Sequence, residues 1–260
     1  MYETLDIVHD GAVATVWMNR PERHNAFDAR LIAELTDAFA TLGADASVRV
    51  VVLGGRGKSF SAGADIEWMK AAGEASFDDN LADARRLAAM LRTIGECPKP
   101  TIARVQGAAL GGGMGLAAAC DVCLAAETAS FATSEVKFGL IPSAIGPWVL
   151  RAVGPRRASR LFLSAERIDA RRAEAIGLVH DVVAVDALDA AVAGLARTLL
   201  GGAPRAQAEA KRLIRDLSGR AIDDAVVEET AVRIASLRRG EEAREGLSAF
   251  LAKRPPHWSA

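Results

Sequence analysis

Apolar and polar positions follow two different rhythms along this chain, and the change falls near its middle. In the first half, short apolar runs alternate with segments of helical spacing. "LDIVHDGAVATVWM" predicts two short strands joined at Asp10-Gly11, a pair that favours a hairpin turn. "DARLIAELTDAFATLG" places Leu31, Ile32, Leu35, Ala38, Phe39 and Leu42 at helical intervals, with Asp28 as N-cap and Gly43 at the end. "VRVVVLGG" is an apolar, β-branched run of the kind buried in a parallel sheet. A helix over much of 77–95, a strand in "KPTIARVQG", a short helix after a glycine cluster and a strand in "DVCLAAE" follow. This alternation predicts an α/β fold with parallel strand pairs.

From about Ala144 onward the pattern is mostly helical, with one short strand in "RIDARRAEAIGLVHDVV". Past Asp186 it predicts three or four helices. The expected organisation is a core over residues 1–186 and a helical region over 187–260 that serves packing or assembly. No internal repeat or low-complexity tract interrupts it.

Composition narrows the function classes. The chain has 260 residues, half of them hydrophobic and a quarter charged, with a formal net charge of −1. It can bury a sizeable core without disulfides, and its balanced charge draws it to neither nucleic acid nor a membrane surface. The N-terminal "MYETLDIVHD" lacks the basic and apolar regions of a signal peptide, and no apolar run is long enough to span a membrane. The odd set Cys97, Cys120 and Cys123 suits a reducing compartment. The expectation is a cytoplasmic protein.

Three motifs invite other readings. "GGRGKS" ends like a phosphate-binding loop, but Val52 stands where the first glycine is required. "GMGLAA" fits the dinucleotide pattern, yet its helix is short and Glu127 follows too soon. Cys120 and Cys123 form C-x-x-C at the start of a buried strand, without a second ligand pair for zinc. The four histidines are scattered, and no G-x-S-x-G elbow exists. No cofactor and no metal is expected. A dinucleotide-binding enzyme is the rival class, which NAD or FAD binding would reveal.

Two loops carry the chemistry. "SFSAGADIEW" leads small residues into Asp65, a natural N-cap, and "ALGGGMGL" leads glycines into another helix start. Each exposes backbone N–H groups that lack an intrahelical acceptor. Two such donors converging on one oxygen form an oxyanion hole, and small side chains let a carbonyl approach. The plainer alternative is a pair of tight turns packed against the sheet.

With their neighbours these loops resemble the enoyl-CoA hydratase/isomerase (crotonase) superfamily. The resemblance rests on "MNRPERHNAFDARLIAEL", "RVVVLGGRGKSFSAGADIEWM", "KPTIARVQGAALGGGMGLAAACDVCLAAETASFATSEVKFGLIP", "RLFLSAERIDARRAEAIGLVHDVV" and the closing "AFLAKRPPHW". It implies a spiral of ββα units with a helical C-terminal region, assembled as a homotrimer or as a homohexamer made of two trimers, and acyl-CoA thioester substrates. It implies oxyanion donors at Ala64 and Gly112. It implies CoA contacts around Glu22, Arg23, His24, Ala26 and Ala62, continuing through Asp65, Ile66 and Glu67. Phe250 and Lys253 match positions that reach a neighbouring subunit's CoA.

The resemblance also implies an acid/base at Glu135, in apolar surroundings that favour a raised pKa. Hydratases of the family use a second glutamate, and this chain has Gly115 there. Three readings follow: a hydratase in which Glu135 works without that partner, a Δ3,Δ2-enoyl-CoA isomerase with Glu135 as sole proton shuttle, or a non-catalytic acyl-CoA binder. "SEVKFGLIPSAIGPWVLRAVG" is most similar to bacterial members that hydrate branched or carboxylated substrates such as methylglutaconyl-CoA. Trp68, Met69, Met114, Ile145 and Trp148 are candidates for an apolar acyl pocket, although such residues also fill cores.

Overall fold

A computed structural model describes residues 2–259. The hairpin forms as predicted: β1 (Leu5–Asp10) pairs antiparallel with β2 (Val13–Met18) across Gly11, whose φ is +55°. Then β3 (Val50–Gly55), β4 (Thr101–Val105), β6 (Val122–Ala126) and β9 (Asp181–Val183) add in parallel, giving the six-stranded order β1-β2-β3-β4-β6-β9. A smaller sheet of β5 (Ala108–Leu110), β7 (Ser130–Ala132) and β8 (Ile168–Asp169) completes the strands. The chain is thus α/β, with successive parallel strands linked through helices.

Both faces of the large sheet are covered, which explains the uniformly apolar β3. Successive residues of a strand point to opposite faces. Val51 and Leu53 join a core with Leu35 and Phe39 of α1 (Ala29–Ala44) and Met90 and Ile94 of α3 (Phe77–Gly95). Val50 and Val52 meet Leu188, Val192 and Ala196 of α7 (Leu188–Leu200) on the other face. The first helix past the expected division at 186/187 therefore packs on the sheet. Asp28 caps α1 as its position predicts, accepting the Leu31 N–H at 2.8 Å.

α5 (Gly146–Ser164) carries a break the periodicity does not reveal. Gly154 sits at φ 75°, ψ 162°, just before Pro155. Proline disfavours helical geometry in the residue before it, and a glycine there adopts the turn freely.

α6 (Ala170–Ala175) precedes β9, and after α7 come α8 (Pro204–Leu217), α9 (Asp224–Arg238) and α10 (Glu241–Leu251); these last three lie toward the end of the described chain. They bury few side chains in this chain, among them Val226 and Ala249. Ile214, Ile222, Leu247, Phe250 and Leu251 are exposed. Polar ties hold this region to the core. Lys211 Nζ lies 2.6 Å from Asp121 and donates to the Lys99 carbonyl at 2.8 Å. Arg49 donates to the carbonyls of Gly202 at 2.5 Å and Trp258 at 3.1 Å.

Among the described residues, no helix is long and apolar enough to cross a membrane. Cys97, Cys120 and Cys123 are buried and free, and burial raises all three thiols above their ordinary pKa, Cys123 to about 12. All three pack within the core.

Candidate active site

Three segments distant in sequence meet at one end of the small sheet. The loop after β3 runs beside β5: the Ser61 N–H donates to the Ala108 carbonyl and the Leu110 N–H to the Ser61 carbonyl, at 3.0 and 2.9 Å. On the other side of β5 lies β7, and the Gly111 N–H donates to the Ala132 carbonyl at 2.8 Å. The strand β5 thus brings together the Ala62–Asp65 loop, the start of α4 (Gly112–Ala119) and the chain leaving β7 toward Glu135.

The first loop is zipped onto residues 24–27. The Ala62 N–H donates to the His24 carbonyl, the Phe27 N–H to Gly63, and the Asp65 N–H to Phe27, at 2.9, 2.6 and 2.8 Å. In this pattern the Ala64 N–H is left over. At the other loop, Gly112 opens α4, where no preceding helical turn supplies an acceptor. Among the described residues neither N–H meets an acceptor. The loops approach closely: a β-carbon on Gly63 would lie 3.5 Å from the Gly112 nitrogen and 2.7 Å from the Leu110 oxygen.

The glycine cluster now divides by task. A β-carbon at Gly112 would press into the Phe27 ring, and one at Gly113 would come within 2.9 Å of Ser61 Cβ. Those two let α4 sit against the first loop. Gly111, at φ +50°, turns the chain into the helix, and a β-carbon there would be 3.2 Å from Glu135 Oε1. Gly115, one helical turn on, faces Ile145, whose Cβ would lie 2.7 Å from an added β-carbon, with Cγ2 closer still.

Glu135 opens a short 3-10 turn, Glu135–Phe138, closed by Gly139 at φ 73°. The Leu140 N–H returns to the Glu135 carbonyl at 3.1 Å, and Thr133, two residues upstream, donates to the Leu161 carbonyl of α5 at 3.0 Å. The backbone that carries the carboxylate is therefore held on both sides. Its Oε2 is buried without a hydrogen-bond partner among the described residues. Burial raises its pKa above the ordinary carboxylate value, only partly offset by its own backbone N–H. A partly desolvated carboxylate near two free backbone N–H groups suits chemistry at the carbon next to a carbonyl.

The other expected site residues divide into three groups. Ala62, Ala64, Gly112 and exposed Ile66 surround this junction, with Ala26 buried beneath it. Arg23 and His24 lie at its rim, His24 with Nδ1 3.0 Å from Ser59 Oγ. Asp65 is buried and committed to other partners: it accepts the Glu67 N–H at 2.9 Å and pairs with Arg23 and Arg20 at 2.9 and 3.3 Å. Burial alone would raise its carboxyl, but Arg23, the Glu67 N–H and Arg20 outweigh it and hold the pKa below the ordinary range. Asp65 thus fixes the loop instead of facing a ligand.

The residues of the expected acyl wall have the following surroundings. Met114 is fully buried in the core and offers no surface to a ligand. Trp148 packs against Gly95 at the end of α3, with three of its ring carbons within 3.2 Å of where a β-carbon would be. Trp68 is half-buried and donates through Nε1 to Asp83 at 3.1 Å. Phe250 is exposed in the last turn of α10 and Lys253 is exposed just beyond it, and the fold brings neither to the junction from within this chain's neighbouring segments.

Two residues that the motifs did not single out shape the site. Arg20 donates to the Ala26 carbonyl at 2.5 Å and pairs with Asp28 at 3.0 Å as well as with Asp65. Asn25, fully buried at φ 53°, donates through Nδ2 to the Arg56 and Ser59 carbonyls at 2.9 Å. The available signal was a run of polar residues, "NRPERHN", leading directly into a buried helix.

Comparison with known proteins agrees with this fold. The family model described as enoyl-CoA hydratase/isomerase matches residues 9–260. The 2,3-dehydroadipyl-CoA hydratase of Escherichia coli strain K12 is 35% identical over 246 residues, covering 94% of each chain. Among solved structures, an enoyl-CoA hydratase from Shewanella pealeana superimposes with a TM-score of 0.96 at 42% identity, covering 98% of this chain and 96% of that one. Pseudomonas aeruginosa AtuE superimposes at 0.95 with 36% identity, covering 99% and 100%. On sequence, fold and full-length coverage together, the chain belongs to the enoyl-CoA hydratase/isomerase family.

Proposed function

We propose that the protein is an enoyl-CoA hydratase, a hydro-lyase adding water across the 2,3 double bond of an acyl-CoA thioester. The observation that carries the reading is the convergence of two unpaired backbone donors, Ala64 and Gly112, beside the partly desolvated Glu135. The thioester oxygen takes both N–H groups, which draws electrons from the double bond and makes C3 electrophilic. Glu135 removes a proton from water as its oxygen bonds to C3. The electron pair moves to the thioester oxygen, giving an enolate held by the two donors. The protonated Glu135 then returns a proton to C2, and the carbonyl reforms. Losing one such donor costs about 2.7–4 kcal/mol of transition-state stabilisation. No organic cofactor or metal enters this sequence.

One observation favours a second reading. Gly115 brings no side chain to α4, and Ile145 fills the adjoining space with carbon. A lone carboxylate suits a Δ3,Δ2-enoyl-CoA isomerase, in which Glu135 takes a proton from C2 and returns it at C4. Purified protein given crotonyl-CoA and methylglutaconyl-CoA is expected to bleach the conjugated-thioester absorbance. A rise in that absorbance with a 3-enoyl-CoA, without bleaching, supports the isomerase instead. Binding without turnover of either indicates a non-catalytic member. Full activity in Glu135→Gln would remove Glu135 from the mechanism. The hydratase relatives include one named for 2,3-dehydroadipyl-CoA, which supports including carboxylated substrates in the panel.

The same reading gives the protein a homotrimeric or homohexameric assembly. Its support is the exposed apolar surface of Phe138, Leu140, Ile141, Leu163, Ile222, Phe250 and Leu251, too extensive for isolated exposed residues. Sedimentation velocity tests it. The cytoplasm remains the compartment that the free, buried cysteines suit.

A further inference from the structure

We propose that Arg20 and Asp65 are positioning residues for the Ala64 donor, together forming a charged clamp that holds one half of the oxyanion hole at working geometry. The inference rests on the proposed hydratase reading, in which Ala64 N–H binds the thioester oxygen.

The Ala64 donor lies in a loop with no regular structure of its own. Backbone pairing ties it to residues 24–27 on one side, while on the other the pairing to β5 ends at Ser61, three residues earlier. Residues 24 and 25 themselves hold left-handed conformations, at φ 51° and 53°, which are strained for side-chain-bearing residues. Something must keep both segments in register. Arg20 does so by reaching across them. Nη1 holds the Ala26 carbonyl at 2.5 Å, while Nη2 lies 3.0 Å from Asp28 and 3.3 Å from Asp65. Its side chain is only 11% exposed and that of Asp65 only 6%, so solvent weakens the pair little. Asp65 in turn grips α2 (Ile66–Glu74) by capping the Glu67 N–H. One guanidinium and one carboxylate thus bind the start of α1, the 24–27 segment and the start of α2 around the single residue Ala64. Arg23 adds a third contact to Asp65 at 2.9 Å from a side chain that is 52% exposed.

The Arg20 guanidinium and the Asp65 carboxylate are both engaged with protein partners, so their effect runs through Ala64. Displacing a reacting group by about 1 Å can cost 10²-fold in rate. The clamp explains why a free N–H in an irregular loop stays aimed.

The test uses full-length protein with butyryl-CoA, a saturated thioester labelled with carbon-13 at the carbonyl. Arg20→Gln and Asp65→Asn are compared with Arg30→Gln, which breaks only the exposed Arg30–Glu3 pair. Asp65→Asn keeps an oxygen for the Glu67 N–H, so it serves as the milder variant if Arg20→Gln does not fold. In the wild-type protein the bound carbonyl stretch is expected to fall to lower frequency as the donors polarise it. In the folded clamp variants it returns part-way to the solution value, and kcat on crotonyl-CoA drops about 10- to 100-fold, below or at the edge of the 10²–10³ loss for removing one donor outright. Butyryl-CoA affinity changes less than about threefold, because a single donor contributes little to ground-state binding. Variants that retain the wild-type band overturn the clamp, whatever their kcat or melting temperature. A wild-type band that does not move on binding overturns the oxyanion assignment itself.

Discussion

Gly115 and Ile145 are a complementary pair: the β-carbon that Gly115 lacks would lie 2.7 Å from Ile145 Cβ and nearer still to its Cγ2. The sequence alone presents Gly115 as a missing carboxylate. In the fold it is also the space into which the start of α5 is packed. Within a helix, Gly→Ala ordinarily stabilises by about 1 kcal/mol. Here overpacking costs about 1–3 kcal/mol, so Gly115→Ala is expected to be neutral to destabilising by about 2 kcal/mol in urea denaturation. Ile145→Ala removes the nearest carbon and leaves Cβ, so it relieves part of the clash. The double variant is expected to lose less than the sum of the single losses, with a coupling of about 0.5–3 kcal/mol. Strict additivity would show that the two side chains do not share this space. By the same geometry, Gly115→Glu cannot introduce a second carboxylate unless Ile145 is cut back as well.

Glu135 sets activity against stability. Its pKa is raised by burial, so the folded state binds the proton more tightly than the unfolded chain does. The carboxyl therefore costs nothing at pH below the ordinary carboxylate range. Stability is lost as pH rises from that range through the folded value, and the full penalty stands above it. Glu135→Gln is expected to lower kcat by about 10²–10⁴-fold while raising Tm at pH 7. The Tm advantage shrinks as the pH is lowered toward the ordinary carboxylate value. A Gln variant with an equal gain at all pH values would place the cost elsewhere than in ionisation.

Much of this arrangement was legible in the sequence because it depends on local pattern. The apolar run of β3 and the periodicity of α1 required only strand and helix spacing, and Asp28 and Asp65 were recognisable as caps. The segments carrying Ala64 and Gly112 were legible as small-residue stretches leading into helix starts. What sequence pattern could not carry is orientation. Met114 reads as a pocket residue, but the helix face it occupies is turned fully into the core. Trp148 reads the same way and instead covers Gly95. Asp65 reads as part of the CoA wall, yet its carboxylate is taken up by two arginines that lie in a different segment. Such pairings are decided by long-range packing, which residue type and spacing do not encode.

Gly63 separates the two donor loops at their nearest approach. It sits at φ +89°, and a β-carbon there would lie 2.7 Å from the Leu110 oxygen. Gly63→Ala therefore combines an unfavourable backbone conformation with a steric push on the Gly112 loop. The backbone strain alone is of order 1–3 kcal/mol. The variant is expected to lose that stability in urea denaturation and to lower kcat more than it weakens acyl-CoA binding. A change in binding alone would place the loop in ligand recognition and not in transition-state stabilisation.

Arg49 links the sheet to the last residues of the chain. It leaves the start of β3 and donates to Leu200 and Gly202, at the end of α7, and to Trp258, at distances of 3.5, 2.5 and 3.1 Å. Carbonyls at a helix C-terminus lack intrahelical donors, and a cation there also meets the negative end of the helix dipole. Burial lowers the Arg49 pKa, with Glu242 opposing the shift, so this charge is held at some cost to ionisation. Replacing Arg49 with Met keeps the apolar stem and removes every one of these donors. Hydrogen bonds to charged groups contribute about 1.5–3 kcal/mol, and a loss of that size is expected in urea denaturation. Because α8–α10 bury so little in their own chain, the loss is expected to be local before it is global. Limited proteolysis of Arg49→Met should cut first between residues 200 and 204, around the Gly201-Gly202 turn, ahead of any cleavage in the six-stranded sheet. Simultaneous cleavage of both regions would show that the helical region and the sheet unfold as one unit, with Arg49 stabilising the whole chain and not its C-terminal attachment.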